Sequence, residues 1–270
     1  MFTVHRIATL DLPELAPYRT LKRAAEHKAH GIFVAEGDKV VHRLLASSLT
    51  VVSVLLPEHR LAEYQPALQG RPEDLPVYAV TEKRVLEELV GFEMFQGVLA
   101  VAKVPASCTL DNLLAEPKPP RLFVAADGLT SAENIGVLVR NCVAFGADAL
   151  LVGETSASPF LRRAVRNSMG TIFQLPVIES DNLVGSLNEL RALGIRCLAA
   201  HPHTEEKSLA RANFARDCCI VFGSEGTGIS KAVLSVCDEA VAIPMAANVD
   251  SLNVASAAAV FLYEATRQRR

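Results

Sequence analysis

The sequence predicts an α/β protein in two parts, a small N-terminal α/β domain followed by a larger one built on a parallel sheet. Three observations carry that reading. Short apolar runs alternate with helix-like stretches along the whole chain. After residue 121 those runs are continuous and apolar, as in strands covered by helices on both faces. Between the two regions, "VPASCTLDNLLAEPKPPRL" (104–122) holds four prolines and several polar residues, the composition of a domain boundary. The expected division is 1–105, a linker at 106–120, and 121–270.

In the first part, helix-like stretches at 19–30, 38–47 and 82–90 alternate with "GIFVAE", "TVVSVLL", "PVYAV" and "GVLAVAK". In the second part the rhythm runs "RLFVAAD", "NIGVLVRNCVAFG", "ALLVG", "PFLRRAVRNSMG", "TIFQLPV", "NLVGSLNELRALG", "IRCLAA", "CCIVFG", "ISKAVLSVC", "AVAIP" and "NVASAAAVFLYEATRQ". In sheets of this kind a ligand sits beyond the carboxyl ends of the strands. With 270 residues, half of them hydrophobic, the chain can bury a sizeable core. The first 31 residues lack the apolar core of a signal peptide and no run approaches the roughly 20 residues of a membrane span, so a cytoplasmic protein is expected. The six cysteines have neither CxxC spacing nor histidines to complete a zinc set; they read as reduced and mostly buried, and no metal is expected. A net charge of -3 argues against a histone-like nucleic-acid binder but permits a local basic face. Two clusters could form one: Arg19, Lys22, Arg23, His27, Lys28 and His30, and Arg162, Arg163 and Arg166. Solvated helix faces are the plainer account of both.

The glycine loop "VFGSEGTGIS" (221–230) follows an apolar run. It is not a Walker loop, because Gly228 is followed by Ile229 and Ser230 where lysine and a hydroxyl are needed. Its GxxGxG spacing and its place late in the domain also fail the dinucleotide fingerprint, which counts against an NAD-type oxidoreductase. Glu225 inside the loop would repel phosphate and accept hydrogen bonds from hydroxyl or ammonium groups. The loop therefore suits an uncharged or cationic ligand, or is simply a tight turn in which Glu225 caps the next helix. Two more segments bear on it. "DGLTSAENIGVLVRNCVAFGAD" (127–148) sets Asn134 and Arg140 six residues apart, the arginine flanked by apolar residues; Asn134 could be only an N-cap. "IPMAANVDSLNVASAAAVFLYE" (243–264) puts Ser251 and Asn253 ahead of an alanine-rich helix, with Ser251 as a candidate N-cap.

Together and in this order the three segments resemble the motifs of the SpoU (TrmH-like) branch of the SPOUT methyltransferases. Asn134 and Arg140 match the family's first motif, "FGSEGTGIS" its second, and Ile243, Pro244, Ser251, Leu252, Asn253 and Val254 its third. "RRAVRNSMGTIFQLPV" resembles the intervening family segment, and the region before 105 resembles the RNA-binding extension of many members. "LTSAEN" departs from the aspartate-proline pair many members carry there. The resemblance implies S-adenosylmethionine-dependent methylation of a ribose 2′-hydroxyl in RNA, rRNA rather than tRNA, by a homodimer whose C-terminal domain contains a trefoil knot. The alternatives are a tRNA 2′-O-methyltransferase, or a non-catalytic RNA-binding or ribosome-assembly factor on the same fold. It implies a cofactor site at Gly223, Ser224, Gly226, Gly228, Ile243, Met245, Leu252 and Val254. Arg140 would stand nearest the chemistry, binding the adjacent phosphate and polarising the hydroxyl, because arginine stays protonated. Asn134, Glu225, Ser251 and Asn253 would orient Arg140, RNA and cofactor. RNA would engage Arg19, Lys22, Arg23, Arg162, Arg163 and Arg166.

Overall fold

The computed structural model describes residues 1–82, 84, 86, 97–115, 120–202, 207–246 and 249–270. They form two units, Met1–Ala106 with Phe160–Phe173, and Ser107–Pro159 with Gln174–Arg270.

In the first unit, β1 (Phe2–Ile7), β2 (Ile32–Glu36), β3 (Val51–Pro57), β4 (Leu75–Val80) and β5 (Leu99–Lys103) form one sheet in the order β1-β4-β3-β5-β2. Strands β1, β4 and β3 are parallel, and β5 runs antiparallel to both β3 and β2. The expected apolar runs supply β2 to β5, whereas β1, "FTVHRI", was not anticipated: it is an edge strand with largely exposed side chains. The expected helix at 19–30 is two short helices, α1 (Ala16–Arg19) and α2 (Ala24–Ala29). Between them the Thr20 hydroxyl donates back to the Ala16 carbonyl (3.0 Å) and Arg23 N donates to the Thr20 carbonyl (2.8 Å), which turns the chain. Helix α3 (Asp38–Leu45) buries Val40, Val41, Leu44 and Leu45, the stripe its spacing requires, and α4 (Leu61–Gln69) follows β3. Most of the expected helix at 82–90 lies outside the described residues.

Residues 160–173, read from the sequence as part of the second domain, pack in the first unit. Phe160 and Phe173 both face Phe33 of β2, with ring centroids 5.5 and 5.7 Å away. Glu36, at the end of β2 and only 4% exposed, accepts from Arg162 and, at 2.9 Å, from Arg166. Both arginines belong to the helix following Phe160, Arg162–Asn167. A buried carboxylate needs such partners, because desolvation without them costs several kcal/mol.

The second unit has a six-stranded, wholly parallel sheet of β6 (Leu122–Asp127), β7 (Ala149–Val152), β8 (Val177–Glu179), β9 (Arg196–Ala200), β10 (Cys218–Gly223) and β11 (Glu239–Val241). Its order is β11-β9-β10-β6-β7-β8. Part of the expected linker is α5 (Leu110–Leu114), capped by Thr109, and its Leu110, Leu113 and Leu114 join the core. The remaining helices of this unit are α6 (Ala132–Ala144), α8 (Leu183–Ala192), α9 (Lys231–Leu234) and α10 (Val254–Gln268), with α7 denoting Arg162–Asn167 of the first unit. Leu183, Leu187 and Leu190 of α8 and Val233 of α9 cover one face of the sheet. On the other, Phe222 meets Phe261 of α10 edge-on at 5.7 Å, and α10 packs along α6. Cys142, Cys197, Cys218 and Cys219 are buried and all six thiols are free. Among the described residues no helix is long and apolar enough to cross a membrane.

Candidate functional site

Strands β9, β10 and β11 are neighbours, and beyond their carboxyl ends lies a cavity of about 370 Å³. Gly223, Ser224, Gly226 and Gly228 form one wall; Ile243, Met245, Leu252 and Val254 form another. All eight residues expected to hold a cofactor therefore line one pocket, together with Glu225 and Ser251. The sequence reading missed Ala200, His201 and Pro202, which follow β9. The carboxyl end of "IRCLAA" was the available signal, since it borders the strand that leads into the glycine loop.

The loop's shape depends on Gly223. A Cβ there would lie 2.2 Å from the Gly228 carbonyl carbon, so the chain folds back onto a position with no side chain. Ser224 and Gly228 exchange both backbone hydrogen bonds at 3.0 Å, and Gly228 takes a φ of +67°. Beyond the turn, Ser230 N donates to Asp127 Oδ2 at 2.7 Å, tying the loop to the end of β6. These short loops are built by backbone, which leaves the lining rich in peptide groups and apolar side chains.

The plainer roles of the motif residues belong to their neighbours. Ser131, not Asn134, caps α6; Ser230, not Glu225, caps α9; and Asn253, not Ser251, caps α10. Freed from capping, Asn134 and Glu225 meet Asn253. Asn134 Nδ2 donates to Glu225 Oε1, Asn253 Nδ2 donates to the same oxygen at 3.0 Å and lies 3.2 Å from Asn134 Oδ1, and Asn253 Oδ1 accepts from Ala255 N at 2.9 Å. The cap fixes which way the Asn253 amide faces, and the carboxylate then fixes Asn134. Residues 134, 225 and 253 thus join three separate segments through one carboxylate at the pocket wall.

Arg140 stands apart. It is exposed, does not line the pocket, and has no hydrogen bond or ion pair among the described residues. The apolar setting expected from its sequence neighbours is wrong, because Ile135, Leu138, Val139 and Cys142 form the buried stripe of α6 and Arg140 projects from another face. Nor is it oriented by Asn134, Glu225 or Asn253, whose hydrogen bonds go to one another. Ser251 is an exposed pocket residue whose side chain has no hydrogen bond among the described residues.

The basic candidates lie in the first unit. Arg19, Lys22 and Arg23 are exposed, Arg19 donating to the Leu10 carbonyl and Arg23 pairing with Glu26 at 2.9 Å. Arg163 and Arg166 are exposed, while Arg162 is committed to Glu36. One acidic group of this unit, Asp38 with His42 and Glu63, has a metal-like spacing, but Arg60 already pairs with Asp38 (2.6 Å) and Glu63 (2.7 Å).

The lining limits the kind of ligand the pocket can hold. Among the described residues no lysine or arginine lines it and Glu225 is its one carboxylate, so a cation finds a counter-charge there and a phosphate finds none from lysine or arginine. The model of the SpoU rRNA Methylase family matches residues 121–263, which contain all three motif segments nearly whole. The chain belongs to this family. Similarity to other SpoU-type proteins extends over the first unit as well. An uncharacterized tRNA/rRNA methyltransferase of Mycobacterium bovis is 33% identical over 271 residues, covering 98% of this chain and 92% of that protein. The 23S rRNA (guanosine-2′-O-)-methyltransferase RlmB of Ralstonia nicotianae is 34% identical over 68% of this chain and 74% of its own. The SpoU methyltransferase AviRb of Streptomyces viridochromogenes, solved in complex with the cofactor AdoMet, superposes with a TM-score of 0.80 at 28% identity, over 93% of this chain and 96% of that one.

Proposed function

We propose that this protein transfers a methyl group from S-adenosylmethionine to a ribose 2′-hydroxyl of structured RNA, ribosomal RNA in preference to transfer RNA, and that it works as a cytoplasmic homodimer. The observation that carries the proposal is the meeting of Asn134, Glu225 and Asn253 at the wall of a pocket that no lysine or arginine lines among the described residues. S-adenosylmethionine carries a sulfonium and no phosphate, and it supplies the methyl group when bound. The backbone of 223–228 and the apolar Ile243, Met245, Leu252 and Val254 would hold it, with Glu225 balancing its charge.

Methyl transfer needs little covalent help, so alignment and removal of the hydroxyl proton are what the chain must provide. Glu225 Oε1 is taken up by the two asparagines, which leaves its second oxygen to accept a hydrogen bond from a hydroxyl or cation. Arg140, exposed and unpaired among the described residues, would bind the phosphate beside the target ribose. Its absence from the pocket lining accords with a site completed across a dimer interface. The apolar residues Val260 (40% exposed) and Tyr263 (60%) of α10, with Leu252 just before it, supply a face for that interface. Small buried residues of α10, Ala255 and Ala258, suit the close crossings of a knotted chain.

Arg140→Ala should abolish methylation of total rRNA by tritiated S-adenosylmethionine while leaving cofactor affinity by titration calorimetry nearly intact. An active Arg140→Ala enzyme overturns its assignment, and binding of NAD in place of S-adenosylmethionine overturns the whole reading. Mapping 2′-O-methyl groups in RNA from a deletion strain separates rRNA from tRNA, and light scattering tests the dimer: an active monomer refutes it.

A further inference from the structure

We propose that His201 sets the preference of the pocket for a cationic over a neutral ligand, so that S-adenosylmethionine outcompetes the demethylated product S-adenosylhomocysteine only while this imidazole is uncharged; this deepens the methyltransferase reading and rests on it for the identity of the ligand. The two compounds share adenosine, ammonium and carboxylate and differ at sulfur. Methyl transfer to a ribose oxygen breaks the S–CH3 bond, the bonding electron pair stays on sulfur, and the hydroxyl proton passes to solvent. A sulfonium thereby becomes a neutral thioether, and a pocket that clears its product must tell the two charge states apart.

Strand β9 lies between β10 and β11 in the sheet. Strand β10 leads into the glycine loop and β11 leads to Ile243 and Met245, so His201, one residue past β9, belongs to the lining between those two walls. Its backbone N donates to the Val241 carbonyl at 3.0 Å, which holds it against β11, and the residue is half-buried. Among the described residues of the lining, His201 and Glu225 are the two that titrate.

The other elements around the pocket bring no charge. Helix α10 contributes Val254, Ala257 and Phe261, and the segment before it Ser251 and Leu252. Beside β11, Lys207, whose carbonyl accepts from Ala242 N at 2.9 Å, is paired with Glu239 at 2.5 Å, so those two charges offset each other. His203, Glu205 and Glu206 follow in the sequence and lie outside the described residues. With a neutral imidazole the described lining carries the single negative charge of Glu225, and with an imidazolium it carries none. Imidazole is the side chain whose ordinary titration falls between about pH 5 and 8. Acid therefore removes the electrostatic advantage of the sulfonium, while the thioether, with no charge at that atom, loses less.

The test is titration calorimetry of the full chain with S-adenosylmethionine and with S-adenosylhomocysteine across the neutral to mildly acidic range. The ratio of the two affinities should turn towards the product by about tenfold on acidification, the effect of one unit charge at roughly 10 Å in an effective dielectric of about 20. His201→Asn should keep the ratio at its neutral-pH value throughout, His201→Lys should hold it at the acid value throughout, and His203→Asn should follow the wild type. The wild-type ratio alone decides the sign. A flat wild-type ratio, a His201→Asn protein that still responds to pH, or loss of the response in His203→Asn overturns the role of His201 and leaves the methyltransferase reading standing. Failure of the wild type to bind either compound at any pH takes down both.

Discussion

Replacing Gly223 by alanine should open the loop that walls the pocket proposed to hold the cofactor. The added Cβ would lie 2.2 Å from Gly228 C, 2.2 Å from Ile229 N and 2.4 Å from Gly228 O, all backbone atoms with no rotamer to escape through. Non-bonded carbons settle at about 3.5 Å or more, so the two strands of the loop must part by more than about 1 Å. That motion strikes the reciprocal Ser224–Gly228 bonds, both 3.0 Å. Two bonds at roughly 1 kcal/mol each and overpacking of about 1–3 kcal/mol amount to about 3–5 kcal/mol against the closed loop. At about 1.4 kcal/mol per decade, affinity for S-adenosylmethionine should fall at least about 100-fold, read by titration calorimetry. Two other glycines calibrate the result. Gly228→Ala meets nothing within 4 Å but must hold a φ of +67°, costing about 1–2 kcal/mol; Gly226→Ala meets nothing within 4 Å and should leave the melting temperature unchanged. The order of damage is Gly223, then Gly228, then Gly226. A Gly223→Ala protein that binds like the wild type, or a reversed order, refutes the account of the loop.

Three further outcomes follow from other contacts. Glu225→Ala unties Asn134 and Asn253, so single-turnover methylation should drop at least about tenfold, with a smaller change in cofactor affinity; full activity would show that the carboxylate junction is dispensable. Glu36→Ala leaves Arg162 and Arg166 without their buried partner, which should cost about 3–5 kcal/mol in urea unfolding, and an unchanged midpoint would count against the ion pair as the anchor of α7. The Arg71 guanidinium holds the Glu73 carboxyl down at about 2, from an ordinary value near 4.5. Because the folded-state value is depressed, its stabilisation is fully present above pH 4.5 and is lost as pH falls towards 2. A shift of that size corresponds to about 3 kcal/mol at most. Glu73→Gln should flatten the acid limb of the stability profile by denaturant unfolding; parallel profiles would overturn it.

Much of this was legible in the residues. Continuous runs such as "RLFVAAD" and "CCIVFG" became central parallel strands because burial on both faces leaves no room for alternation. The eight pocket residues were legible because backbone-built loops leave glycine and proline signatures in the chain. Arg140 was misjudged for a physical reason: residues adjacent in sequence do not share a helix face, and its neighbours at three and four positions include the partly open Val137 and Val143. Strand β1 escaped notice because an exposed edge strand need not look apolar. That Ser131, Ser230 and Asn253 are the caps depends on where each helix begins, which short-range patterns fix only to within a residue or two.

The placement of residues 160–173 bears on how the gene for this protein can be cut. The polypeptide passes between the two units at three points, 106–107, 159–160 and 173–174. A fragment ending near residue 105 would lack Phe160, Phe173 and both arginines that neutralise Glu36, and a fragment starting at 121 would carry that segment with nothing to cover it. The two units are thus not modular in the genetic sense: exchanging the first unit between relatives requires grafting two stretches of coding sequence at once.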